Sequence, residues 1–256
     1  MACSIVFVSV CALYFRSHLM GNSDSRLDPF VSELPSDIRE SLEKQNTPMK
    51  VRIPILIYHY VEHITDKRDT IRASLNIYPH VLQTQIQTLK DAGYLFITPS
   101  YLSMVLRDKI KPAKKIVMLT FDDGYRDFYT DVFPILEEEQ VKAVAYVVPN
   151  FLDKPNFMFT SQLREVAASQ YVEIGAHTMD HTFLPGMDRA KAEFEIAQSR
   201  RSLEDLLHIQ VHAFAYPYGG FDKQAMDIVE HAGFTTAVVT VPGIVQAPAN
   251  RYFLYR

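Results

Sequence analysis

Short apolar runs alternate with amphipathic stretches along the chain from about residue 51 onward. The apolar runs, rich in β-branched and aromatic residues, predict seven strands: Ile53 to Tyr58, Tyr94 to Ile97, Ile116 to Phe121, Ala143 to Val148, Val172 to Ala176, Ala213 to Tyr216 and Thr235 to Thr240. The amphipathic stretches carry apolar residues at helical spacing and predict six helices: His80 to Ala92, Tyr101 to Arg107, Phe128 to Gln140, Ser161 to Ser169, Arg189 to Leu207 and Lys223 to Ala232. Repeated strand and helix predict a parallel α/β sheet, either a barrel or a doubly wound sheet.

The beginning of the chain has a different pattern. Ser4 to Phe15 is an almost unbroken apolar run that ends at Arg16. A membrane span needs about 20 residues, so this length suits the core of a signal peptide better. No Lys or Arg precedes the run, and no small-x-small cleavage site follows it. We interpret residues 1–20 as a signal peptide or N-terminal membrane anchor, with a buried N-terminal helix as the alternative.

This interpretation predicts an exported or membrane-anchored protein of the cell envelope or extracellular space, with possible membrane attachment through residues 4–15. The polar residues 21–50 are typical of a linker. Residues 51–256 then form one domain, since a single α/β barrel commonly takes roughly 200 to 250 residues.

Composition narrows the chemistry. The net charge is -4 and no basic stripe is present, which argues against nucleic-acid binding. The two cysteines, Cys3 and Cys11, both precede the domain. The domain therefore contains no disulfide, no cysteine-ligated zinc and no cysteine nucleophile, and its reactive groups must be oxygen and imidazole. Nothing in the sequence indicates the oligomeric state.

Two adjacent carboxylates follow one predicted strand. Asp122 and Asp123 come directly after Phe121 and precede Gly124. Asp and Gly also favour turns, and Asp caps helices, so this group alone is equally consistent with a plain turn. In parallel α/β folds, however, reactive residues gather at the carboxyl ends of the strands.

Imidazoles follow two further predicted strands. His177 and His181 come after Ala176, four residues apart, a spacing that suits a metal but also occurs on solvated surfaces. His59 follows the first strand and would alone be read as a hydrogen-bonded core residue. The turn Pro217-Tyr218-Gly219 follows another strand. Their position at one edge of a single predicted sheet favours a common site.

These motifs resemble those of the polysaccharide deacetylases, the carbohydrate esterase family four or NodB-homology group. The resemblance covers about residues 51 to 256 and rests on three motifs in family order, which are Thr120-Phe121-Asp122-Asp123-Gly124, His177-Thr178-x-x-His181 and Pro217-Tyr218-Gly219. It implies a distorted (β/α) barrel of about seven parallel strands and a divalent-metal N-deacetylase. It further implies that Asp123, His177 and His181 bind the metal and that Asp122 is the general base.

Two family residues are missing from their usual places. Ala215 stands where ordinary members have an Arg, and no Leu-x-His motif follows Tyr218. The segment Pro54 to His59 instead resembles the permuted branch that includes the poly-N-acetylglucosamine deacetylases. In that branch the acid histidine comes first, which makes His59 the candidate general acid. The ending at Arg256 resembles the closing Arg motif of the branch, so Arg256 is expected to orient Asp122.

The expected reaction is metal-dependent hydrolysis that removes N-acetyl groups from a β-linked N-acetylglucosamine polysaccharide, either a matrix polysaccharide or peptidoglycan. One carboxylate and two imidazoles suit Zn²⁺ and leave positions for water and substrate. The backbone N–H of Tyr218 is the candidate donor to the oxyanion. Two alternatives remain open: hydrolysis of a small amide or cyclic imide by the same site, and a metal-containing glycan-binding domain without turnover.

Overall fold

The structure is a computed structural model that describes residues 50–64 and 68–256. The predicted signal peptide or anchor at residues 1–20 lies outside the described residues, as does the predicted linker except for its last residue. Within the described ranges, no helix is both long enough and apolar enough to cross a membrane.

The strands follow the predicted alternation. Their bounds are β1 (Val51–Arg52), β2 (Ile55–Tyr58), β3 (Tyr60–Val61), β4 (Asn76–Ile77), β5 (Tyr94–Phe96), β6 (Lys115–Phe121), β7 (Ala143–Val147), β8 (Val172–Ala176), β9 (Ala213–Ala215), β10 (Thr236–Val238) and β11 (Val245–Gln246). Seven of them form a parallel sheet in the order β10-β9-β8-β7-β6-β2, with β5 also pairing with β6. The prediction of a distorted barrel is confirmed as an open half-barrel of parallel strands.

The helices lie between the strands. Their bounds are α1 (Thr70–Leu75), α2 (Pro79–Asp91), α3 (Pro99–Arg107), α4 (Phe133–Glu139), α5 (Thr160–Ala168), α6 (Arg189–Glu193), α7 (Ser199–Leu207) and α8 (Lys223–His231). All seven predicted strands and all six predicted helical regions are confirmed to within a few residues. Two regions predicted as continuous helices contain π-helical turns, at Phe128–Val132 before α4 and at Phe194–Gln198 between α6 and α7.

The core lies on both faces of the sheet. Along β6, Val117 and Leu119 join the apolar cluster on one face, while Ile116 and Met118 join the cluster on the other. This alternation is the two-residue period of a strand, and it explains why β6 is apolar at consecutive positions. Burial of the strand on both faces makes β6 a rigid support for the residues that follow it.

The strands end close to one another. Tyr58 of β2 pairs with Phe121 of β6, Val147 of β7 pairs with Ala176 of β8, and Ala215 of β9 pairs with Val238 of β10. The residues that follow each strand therefore converge at one edge of the sheet, as the sequence predicts.

Candidate active site

The two adjacent aspartates follow β6 and are both buried, with residue exposures of 3% for Asp122 and 6% for Asp123. The backbone N–H of Asp122 donates to the carbonyl oxygen of Tyr58, 3.0 Å away, which ties the end of β6 to the end of β2. Asp123 adopts a φ of 75°, in the left-handed region that few non-glycine residues occupy. The chain thus turns sharply between the two carboxylates, and each has different partners.

Asp122 is paired with Arg256. The two guanidinium nitrogens Nη1 and Nη2 donate to Oδ1 and Oδ2 of Asp122, each at 2.7 Å. The Arg256 side chain is fully buried, and its Nε donates to the Val239 carbonyl while Nη1 also donates to Thr120 Oγ1. Burial would raise the pKa of Asp122, but the Arg256 guanidinium outweighs it and holds this pKa below the ordinary value. Asp122 is therefore ionised and fixed in orientation by a two-point contact.

Asp123 faces two imidazoles. Its Oδ1 lies 3.4 Å from Nε2 of His177 and 3.2 Å from Nε2 of His181. One donor atom from each of the three residues falls within 4.8 Å of the others. Burial would raise the pKa of Asp123, whereas the two imidazoles lower it far below the ordinary value. The structure thus brings together all three metal ligands implied by the resemblance.

The chemistry of these three groups fits a divalent cation. Oδ1 of Asp123 is buried and has no hydrogen-bond partner among the described groups. Nδ1 of His177 lies 2.7 Å from the Ala215 carbonyl, to which it donates, and this tautomer leaves the Nε2 lone pair directed at Asp123. An orphaned buried carboxylate oxygen facing an imidazole lone pair needs a positive charge between them. The residues therefore fit the metal that the family motifs imply.

A proton on His177 would compete with the metal for this imidazole. Burial lowers the pKa of His177, but the nearby Asp123 and Asp122 carboxylates outweigh it and raise this pKa above the ordinary histidine value. A metal ligand must be neutral imidazole, so metal binding has to displace this proton.

Tyr218 lies at the rim of the site in a 3₁₀ turn (Pro217–Gly219) with φ of 58°. Its ring is exposed and contacts the His181 ring edge to face, with centroids 4.5 Å apart. Among the described residues, the Tyr218 amide donates to no other group, as is usual for the first N–H groups of a helical turn. Gly219 has φ of 68°, and a Cβ there would lie 2.0 Å from Thr240 Oγ1. The turn therefore requires glycine and leaves the Tyr218 N–H open to a ligand.

His59 follows β2 and is half-buried. It is one of the groups that lower the pKa of Asp122, after Arg256 and His177, which places the two residues near each other. The candidate acid thus reaches the site from the side opposite to the two ligand histidines, since β2 and β8 flank β6 and β7 in the sheet.

Sequence reasoning missed two buried carboxylates beside the site. Asp127 accepts a hydrogen bond from the N–H of Val61, two residues after His59. Glu195 accepts hydrogen bonds from the loop between the two ligand histidines. Neither residue comes directly after a strand, the position that marks the other site residues in the sequence. Their helical positions on otherwise apolar faces were the only available signal, and that signal does not indicate a partner.

A family comparison agrees with this geometry. The family model described as polysaccharide deacetylase matches residues 109–237, about half of the chain. This chain belongs to the polysaccharide deacetylase family, and the family resemblance drawn from its motifs is confirmed.

Individual relatives show the same relationship. The chain is 29% identical over 210 residues to YxkH of Bacillus subtilis, which its name assigns to the polysaccharide deacetylases, covering 82% of this chain and 72% of that protein. It is 27% identical to the poly-beta-1,6-N-acetyl-D-glucosamine N-deacetylase of Escherichia coli K12, covering 84% of this chain and 38% of that enzyme. Among solved structures, the Streptococcus pyogenes deacetylase PplD in complex with acetate is 30% identical, with a TM-score of 0.75, covering 81% of this chain and 92% of that one.

Proposed function

We propose that this deacetylase is Zn²⁺-dependent and removes N-acetyl groups from a β-linked N-acetylglucosamine polysaccharide, releasing acetate. The observation that carries the proposal is the convergence of Asp123, His177 and His181 beside an arginine-paired Asp122. The name of the Escherichia coli relative supports the choice of polysaccharide. One carboxylate and two imidazoles are donors that suit Zn²⁺ in a hydrolytic site.

Each residue takes one role in the hydrolysis. When bound, the divalent cation supplies an acidified water and a polarised acetamide carbonyl. Asp122, kept ionised by Arg256, accepts a proton from the attacking water. The Tyr218 backbone N–H donates to the oxyanion that forms on the substrate carbon. His59, as imidazolium, protonates the departing amine nitrogen, because an amide anion is a very poor leaving group.

Acetate release by the full-length protein tests the proposal. We would supply β-1,6-linked N-acetylglucosamine oligomers, chitin oligomers and peptidoglycan, with a chelator and then with added Zn²⁺. We expect acetate from the β-1,6-linked oligomers, loss of release with the chelator and recovery with Zn²⁺. Acetate release that is unchanged by the chelator would contradict the assignment of a metal. Glycan binding without release, or activity confined to small imides, would contradict the proposed reaction.

We also propose that the protein acts at the cell envelope or outside the cell. The apolar run Ser4 to Phe15 supports this proposal, because its length and composition suit an export signal or an anchor. Fractionation of cells that express the full chain tests it. Recovery of the protein in the envelope or medium is expected, and recovery in the cytoplasm alone would contradict it.

A further inference from the structure

A buried carboxylate lies behind the loop that carries the two ligand histidines. Glu195 is 8% exposed and belongs to the π-helical turn between α6 and α7. Its Oε2 accepts hydrogen bonds from two consecutive backbone N–H groups, those of Met179 at 3.0 Å and Asp180 at 3.1 Å. Among the described residues, Glu195 has no ion pair with any basic side chain. The loop amides are therefore the groups that compensate its burial.

The loop itself needs such an anchor. His177 is fixed by its position directly after β8 and by its Nδ1 contact with Ala215, but His181 lies four residues further on. Thr178 and His181 both have positive φ, 61° and 56°, although neither is glycine. Residues persist in this region only where surrounding contacts hold them. The two amides bound by Glu195 lie between these two strained positions.

Glu195 is not itself part of the donor group. Within the described residues, the group that could hold an ion consists of Asp123, His177 and His181. Glu195 instead contacts the loop through the backbone N–H groups of Met179 and Asp180, and not through the imidazoles. Groups that lie outside the ligand set can fix the orientation of the metal ligands. Losing such a group typically costs roughly 10–100-fold in metal affinity.

We infer that Glu195 is a positioning residue that holds the turn from Thr178 to His181 in its left-handed conformation, so that both imidazoles meet Asp123. This inference rests on the proposed metal site. Removing the carboxylate leaves the Asp180 N–H without this acceptor. It also removes one of the two hydrogen bonds made by the Met179 N–H. The second contact of Met179, to the main-chain oxygen of Glu195 at 3.1 Å, survives any substitution. We therefore expect His181 to become misplaced while the fold remains.

The test compares Glu195→Leu with Glu195→Gln in the full-length protein, with Glu193→Leu as the matched control. Glu193 is two residues away, exposed and paired with Arg189. Zn²⁺ affinity is measured by competition with a chromophoric chelator, and the site geometry by the visible absorption of the Co²⁺-loaded protein. We expect Glu195→Leu to weaken Zn²⁺ binding at least about 10-fold and to alter the Co²⁺ spectrum. The Gln variant, whose amide oxygen can accept both bonds, should recover most of the affinity.

Contrary outcomes are distinguishable. Unchanged Zn²⁺ affinity in a folded Glu195→Leu variant would overturn the positioning role. If that variant does not fold, Glu195→Asp decides, because its shorter side chain cannot reach both amides; native affinity in the Asp variant would equally overturn the inference. Absence of Zn²⁺ binding by the wild-type protein would instead overturn the proposed metal site.

Discussion

The two halves of the site begin at adjacent residues and differ in almost every partner. Asp122 and Asp123 are both buried, follow the same strand and carry the same side chain. Asp122 forms an ion pair with the guanidinium of Arg256, which lies more than 130 residues further along the chain. Asp123 meets two imidazoles, and its Oδ1 is left without a hydrogen bond. Arg256 keeps Asp122 ionised, as a general base must be, whereas the unbonded Oδ1 of Asp123 beside two imidazoles is suited to bind a metal.

The largest effect is expected on the metal half. His177→Ala removes one of three donors and the hydrogen bond to Ala215. We expect loss of bound Zn²⁺ and no detectable acetate release, measured by metal analysis and by the release assay. His231→Ala, which alters an exposed histidine on α8, serves as the control and should retain both. Full metal content in His177→Ala would remove this residue from the ligand set.

The next effect concerns the acid candidate. His59→Ala should lower kcat about 10²- to 10⁴-fold, the usual contribution of a positioned general acid, while bound Zn²⁺ is retained. His63→Ala changes an exposed histidine on the same segment and should leave kcat unchanged. Near-normal turnover in His59→Ala would exclude it from the mechanism.

The partner of Asp122 should produce a smaller loss with a characteristic pH dependence. Burial raises the pKa of Asp122, and replacing Arg256 with Met removes the strongest of the groups that oppose it, so this pKa rises. Since the base must be ionised, the acidic limb of the kcat/KM profile should move to higher pH, with activity reduced about 10- to 100-fold at neutral pH. Arg251→Met, at a partly exposed arginine paired with Glu230, is the control. An unshifted acidic limb would contradict the role of Arg256.

The smallest effect is on stability beside the site. Burial, followed by the charge of Glu62, raises the pKa of Asp127 to about 6, despite the Val61 N–H that lowers it. Because the folded protein then binds more protons than the unfolded chain between about pH 4 and 6, the free energy of unfolding falls as pH rises through that window. Asp127→Asn retains an oxygen acceptor for Val61 without the charge. The variant should not lose stability between about pH 4 and 6 as the wild type does. Above pH 6 its free energy of unfolding should exceed that of the wild type by about 1–3 kcal/mol.

Urea unfolding at several pH values measures that difference. Asp91→Asn, which alters an exposed carboxylate at the end of α2, provides the matched control and should follow the wild type at every pH. An Asp127→Asn variant that is less stable than the wild type at pH 7 would show that the ionised carboxylate stabilises the segment beside His59.

The strands and the reactive residues at their ends could be predicted because both depend on local pattern. The run Ala143 to Val148 is apolar at every position, as burial on both faces requires. Asp122 and His177 directly follow predicted strands, and Tyr218 follows one after Pro217. The short pairs β1 with β11 and β3 with β4 could not be predicted, since two-residue strands have no period to detect. The π-helical turns could not be predicted either, because one extra residue barely disturbs the helical spacing of apolar positions.

Contacts between residues far apart in the sequence could be predicted only where a motif marks one of the partners. Arg256 was expected beside Asp122 only through the family resemblance, and in the structure its guanidinium contacts Asp122. Glu195 and Asp127 had no motif to mark them, because their partners are backbone N–H groups, which every residue carries. Only the folded geometry identifies carboxylates of this kind.

The most direct test of the division between the two aspartates is the Zn²⁺ content of Asp122→Asn and Asp123→Asn, purified in parallel and loaded with the same excess of Zn²⁺. Both variants should fail to release acetate. Asp122→Asn should retain close to one Zn²⁺ per chain because its three ligands are intact, and Asp123→Asn should lose most of it because the amide is a far weaker ligand. Equal Zn²⁺ loss in both variants, or retention in Asp123→Asn alone, would contradict the assignment of base and ligand.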